Sequence, residues 1–139
     1  MELPEIIEQI GKKPSGEIIK SIHINERDYK LKLAWKKYLK ISIEAKTPIF
    51  KETDSSEIKK LHFLSIIVRA PQYSLRGEKS ELTEKLLLNQ YTRALLFFRS
   101  SKITCQNQQI SYTAELKKKN SHQIKVILDY FKELIVTLK

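Results

Sequence analysis

The sequence predicts an α+β fold. A single domain is expected over residues 1–139, with an antiparallel β-sheet of about five to six strands and helices packed on it, in the order α-β-β-β(-β)-α-β-β-α. Three features of the last sixty residues carry that expectation. A capped helix opens at Ser80-Glu81-Leu82, a hairpin turns on Gln106-Asn107-Gln108-Gln109, and an amphipathic helix runs from about Ser121 to Leu138. Helix, hairpin and helix in succession mark helices laid against an antiparallel sheet.

The elements follow in order. Pro4 to Lys12 predicts a short first helix: proline is tolerated in a first turn, Glu2 and Glu5 suit the positive end of the dipole, and Lys12 and Lys13 the negative end. Ile6, Ile7 and Ile10 form its apolar stripe, and Pro14-Ser15-Gly16 stops it. From Gly16 to about Phe50 the period becomes two. Ile22 and Ile24 alternate with Ser21, His23 and Asn25; a polar turn follows at Asn25-Glu26-Arg27-Asp28. Tyr29, Leu31, Leu33 and Trp35 then face one way, with Lys30 and Lys32 facing the other. A third run sets Leu39, Ile41, Ile43 and Ala45 against Lys40, Ser42 and Glu44. Such alternation means a meander with one buried and one wet face.

Lys46 to Lys60 reads as a mobile connection, broken by Thr47-Pro48 and Thr53-Asp54-Ser55-Ser56. Leu61 to Ala70 is apolar enough for a central strand, and Gln72 to Gly77 reads as a loop. A helix from Ser80 is expected to reach Arg99; Asn89-Gln90 is a point of interruption, and Ala94 to Phe98 fits a helix end or a strand start. Lys102–Cys105 and Gln109–Thr113 pair across the hairpin turn. Ile124, Ile127, Leu128, Phe131, Leu134, Ile135 and Leu138 make a wide stripe that docks the last helix on the sheet.

Composition excludes several classes. With only three glycines and four prolines, the chain has no Gly-rich phosphate cradle, collagen repeat or Pro-rich linker. Hydrophobic residues at 41% and charged residues at 30% describe a soluble globular protein. Cys105 is the single cysteine, and Met-Glu-Leu-Pro-Glu has none of the features of a signal peptide, so a cytoplasmic protein is expected. The longest clean apolar run, Ala94 to Phe98, falls far short of the ~20 residues that span a bilayer. A formal charge of +10 attracts polyanions, but lysine outnumbers arginine, of which there are five. Lysine is a point charge; arginine is the reader of base edges.

No group of residues assembles a recognisable reaction centre. His23, His62 and His122 are too scattered in sequence to suggest a metal site, and no cofactor motif occurs. Cys105 lacks a neighbouring base and reads as a small core hydrophobe. Glu81 and Glu84 fit the first turn of a helix. Two basic regions remain. Lys30, Lys32, Lys36, Lys37 and Lys40, with Lys46, Lys51, Tyr29, Trp35 and Tyr38, could make a single-strand platform on the sheet. The parity of Tyr29 and Trp35, however, puts them with Leu31 and Leu33 on the core side. Arg69, Arg76 and Lys79, with Arg93 and Arg99, form a second candidate, an anion notch after the central strand. Lys117-Lys118-Lys119 reads as a solvated run.

The element order is similar to that of type III secretion chaperones, a resemblance of topology alone that implies the fold and assigns no residue. The function expected is a non-catalytic interaction or adaptor module, binding a protein partner or itself through a sheet edge or the terminal helix. The alternative is a nucleic-acid-binding protein that uses the lysine-rich sheet surface over residues 30–51.

Overall fold

A computed structural model describes residues 3–24, 27–46, 55–60, 73–77, 89–106 and 108–137; for residues 24, 55–60, 73–77 and 106 it describes the backbone only. Helix α1 (Leu3–Lys12) leads into the meander β1 (Gly16–Ile24), β2 (Arg27–Trp35) and β3 (Tyr38–Lys46). Two short strands follow, β4 (Ser55–Lys60) and β5 (Tyr73–Gly77). The chain ends with α2 (Gln90–Leu96), the hairpin β6 (Arg99–Gln106) and β7 (Gln109–Lys117), and α3 (Gln123–Thr137).

Neighbouring strands are antiparallel throughout, in the spatial order β1-β2-β3-β7-β6-β4-β5. The fold class is the α+β class that the sequence predicts. Its five-strand body, β1-β2-β3-β7-β6, with three helices gives the order α-βββ-α-ββ-α, and β4 and β5 continue the sheet beyond β6.

Every core-facing position of β2 and β3 follows the expected parity. Tyr29, Leu31, Leu33, Trp35, Leu39, Ile41, Ile43 and Ala45 are buried, joined by Ile103, Cys105, Ile110, Tyr112, Ala114 and Leu116 of β6 and β7. These residues meet Ile6 and Ile10 of α1, Leu95 and Leu96 of α2, and the stripe of α3 in one cluster. Tyr29 meets Phe131 edge-on at 6.2 Å, which seats α3 on β2. The described helices therefore contribute to the core on one face of the sheet only.

Three expectations need correction. The helix expected to reach Arg99 ends at Leu96: Ser101 Oγ donates to the Leu96 carbonyl, and Arg99 is already paired with Glu115 in the sheet. Residues 55–60, read as connection, are strand β4, and 73–77, read as loop, are strand β5. Their periodicity is faint because Ile58 and Leu75 are nearly the only aliphatic side chains in them. The interruption weighed at Asn89-Gln90 is present, since Asn89 is extended and caps a helix that starts at Gln90, its Oδ1 accepting from Tyr91 N at 2.9 Å. The expected strand over Leu61–Ala70 and the cap at Ser80 lie outside the described residues.

Candidate interaction surfaces

With the described helices on one side, the other face of the sheet is, among the described residues, left to the polar parity. Glu17, Ile19, Ser21 and His23 of β1 stand beside Asp28, Lys30, Lys32 and Ala34 of β2; then come Lys40, Ser42, Glu44 and Lys46 of β3. Gln109, Ser111, Thr113 and Glu115 of β7 complete the row, with Lys102 and Thr104 of β6. Two shallow, open depressions dimple this face. One, of about 440 Å³, lies over Lys32, Lys40, Ser42, Ser100, Thr113 and Glu115. The other, of about 560 Å³, lies over Ser21, Arg27, Asp28, Lys30, Glu44 and Lys46.

The charges on this face alternate in sign. Lys30 stands opposite Glu44, Lys40 opposite Glu115, and Lys32 Nζ lies 3.5 Å from Glu17 Oε1. Opposite charges across a ladder hold each other in place and cancel at a distance. Tyr29 and Trp35 are 5% and 3% exposed, so neither ring can stack on a base. Of the three aromatic rings in this region, only Tyr38 is partly exposed.

Lys36 and Lys37 fall elsewhere. They form the tight bend between β2 and β3, at the end of the sheet, where the Lys36 N–H donates to Tyr38 O at 3.2 Å. Arg69 and Lys79 lie outside the described residues, and Arg76 of β5 is placed only by its backbone, opposite Glu57 of β4. The structure therefore brings Lys30, Lys32 and Lys40 together and separates Lys36 and Lys37 from them.

No reaction centre converges among the described residues. No three His, Cys, Asp or Glu side chains stand close enough to hold a metal ion there. Cys105 is 1% exposed on the core face, as a small hydrophobe would be. His23 Nδ1 lies 2.6 Å from Asp28 Oδ1, a surface pair between opposed residues of β1 and β2. Burial pushes the Tyr112 phenol far above its ordinary range, and its hydroxyl donates to the Leu95 carbonyl at 2.5 Å. Burial also raises the Tyr29 phenol, against the opposing pull of the Arg27 guanidinium. Both rings serve the core.

Two features escaped sequence reasoning. The first is Ile19, an isoleucine 56% exposed on the polar face of β1. Its signal was the doublet Ile18-Ile19: in an alternating strand, one of two adjacent isoleucines must face water. The second is β1 itself, which pairs with β2 on one side and, among the described residues, has no strand on the other.

No family model, no curated protein and no solved structure matches this chain. No helix among the described residues is long and apolar enough to cross a membrane.

Proposed function

We propose that the chain is a non-catalytic interaction module that pairs with a second copy of itself along the free edge of β1. The observation that carries this reading is an edge strand that nothing among the described residues covers, with an exposed isoleucine at its centre. Edge strands present unpaired N–H and C=O groups, and proteins that avoid association blunt them with proline, bulges or repeated lysines. Strand β1 runs nine residues in unbroken register with β2 and contains no proline. Within a chain of charge +10 it carries one acid, Glu17, and one base, Lys20, so the strand itself brings no net charge against a second copy.

Charge also selects a register. Centred on Lys20, two antiparallel copies would oppose lysine to lysine, which is destabilising. Centred on Ile19, they oppose Ile19 to Ile19, Glu17 to Ser21 and Ile18 to Lys20, with no like charges face to face. Covering the exposed half of Ile19 contributes roughly 1 kcal/mol per copy, and the new ladder adds hydrogen bonds worth about 1 kcal/mol each. The nucleic-acid alternative on the 30–51 surface is weaker, because its lysines stand opposite carboxylates and two of its aromatic rings are buried.

Charge-swap variants test the reading. Ile19→Lys and Ile19→Glu are each expected to be monomeric by sedimentation, with the circular dichroism of the unaltered protein. Mixed in equal amounts, they are expected to form a dimer, because lysine then faces glutamate. A dimer that persists in Ile19→Lys, or a mixture that stays monomeric, would overturn the reading.

A further inference from the structure

The sequence spreads its lysines over three distant segments, and the fold gathers them at one end of the sheet. Lys13 follows α1, Lys36 and Lys37 make the β2–β3 bend, and Lys117, Lys118 and Lys119 follow β7. Contacts between these segments fix their proximity. Trp35 Nε1 donates to Lys13 O at 3.1 Å, Lys118 Nζ donates to Pro14 O at 3.2 Å, and Tyr38 stands opposite Lys117 in the ladder. Arg99 joins them, its guanidinium 4.9 Å from the Tyr38 ring centre, with Lys37 Nζ 5.8 Å from the same ring.

This end differs from the open face in one decisive respect. None of Lys13, Lys36, Lys37, Lys117, Lys118 and Lys119 pairs with a carboxylate among the described residues. The nearby acids are engaged: Glu8 with Lys12 at 2.6 Å, and Glu115 with Arg99 at 3.9 Å. Five of the six lysines are exposed and Lys118 is half-buried. Six lysines without a carboxylate partner among the described residues concentrate positive charge at this end of a chain of net charge +10.

We propose that this end of the sheet binds the phosphate backbone of nucleic acid without reading its sequence. Its cations line up across the ends of β1, β2, β3 and β7, a width of about 14 Å at the usual strand spacing. A line of that length covers about four base-pair steps of a duplex, at roughly 3.4 Å of helix axis per phosphate of each strand, which puts about four phosphates of the two strands within reach. Lysine supplies point charges that attract phosphate but lack the fork that reads guanine. Arg99, the one arginine present, is occupied by Tyr38 and Glu115. An anionic membrane is the less favoured partner: Trp35, the residue that would anchor at a lipid interface, is buried with its N–H already bonded.

The test uses labelled single-stranded and duplex oligonucleotides of two unrelated sequences, titrated at 50 and 200 mM salt, the range over which counterion release is read. Four phosphate contacts imply that affinity falls about fiftyfold for the single strand and about 150-fold for the duplex across that range, equally for both sequences. The variant Lys36→Gln/Lys37→Gln/Lys117→Gln/Lys118→Gln is expected to lose tenfold or more at low salt and to show a flatter salt dependence. The variant Lys30→Gln/Lys32→Gln/Lys40→Gln on the open face is expected to bind as the unaltered protein does. Absence of binding at 50 mM salt, an equal loss in the open-face variant, or tighter capture by phosphatidylserine vesicles than by oligonucleotides would overturn the proposal. Thermal melts of both variants confirm that each is folded.

Discussion

Gly16 and Trp35 face each other across the β1–β2 ladder, and the indole lies so close that a Cβ at Gly16 would come within 3 Å of three ring atoms. The ring cannot retreat easily, since its N–H is bonded to the Lys13 carbonyl and its body is buried. The glycine that ends the α1–β1 turn therefore also seats the only tryptophan in the chain. Gly16→Ala is expected to cost about 1–3 kcal/mol as overpacking, read as a lower denaturation midpoint. In a Trp35→Phe background the same change is expected to cost less, so that a double-mutant cycle gives a non-zero coupling. Full additivity would mean that the two residues do not share this space.

Tyr112 is expected to make stability fall at alkaline pH. Its pKa is raised in the folded chain, because burial disfavours the phenolate. Unfolded chains thus release this proton at about pH 10 while folded chains retain it, and the stabilisation is lost as pH rises above that value. The expected slope is about 1.4 kcal/mol per pH unit from this one group, with a contribution of the same sign from Tyr29. Tyr112→Phe removes the Tyr112 share of the slope. It also costs about 1 kcal/mol at neutral pH for the lost bond to Leu95 O. Denaturant titrations between pH 8 and pH 11 check both signs.

Asn89 joins two helices. Its Oδ1 caps α2 at Tyr91 N, while its Nδ2 donates to Thr137 Oγ1 at 2.8 Å, near the end of α3. Asn89→Ala is expected to cost about 0.5–2 kcal/mol, in the range of a lost N-cap. Hydrogen exchange is expected to quicken in α2 and the last turn of α3 while the meander stays protected.

Ser100 adopts φ 52° at the bulge between Arg99 and Lys102, a conformation that suits glycine. Ser100→Gly is expected to raise stability by about 0.5–1 kcal/mol, since relief of side-chain strain exceeds the added freedom of the unfolded chain. A lower melting temperature would show that the serine side chain contributes more than its backbone geometry costs.

The meander was legible in the sequence because its strands alternate strictly: Tyr29, Leu31, Leu33 and Trp35 on one parity, Lys30 and Lys32 on the other. The hairpin was legible for the same reason, and α3 through its helical stripe. Strands β4 and β5 were not, since Ile58 and Leu75 alone cannot establish a period. The end of α2 was hidden because Ala94–Phe98 suits helix and strand equally, and a tertiary bond from Ser101 to Leu96 decides between them. The basic end was invisible for a different reason. Lys13, Lys36 and Lys117 are far apart in the chain, and only the order β1-β2-β3-β7 makes them neighbours. Conversely, the lysines of residues 30–40 looked like a basic surface until the ladder set Glu44 and Glu115 opposite Lys30 and Lys40.

Self-pairing along β1 is tested most directly by the mass of the unaltered protein in sedimentation equilibrium over a wide concentration range. A mass that rises with concentration from 16.3 kDa to twice that value, and stops there, is the expected result. A mass that stays at 16.3 kDa at every concentration would contradict it.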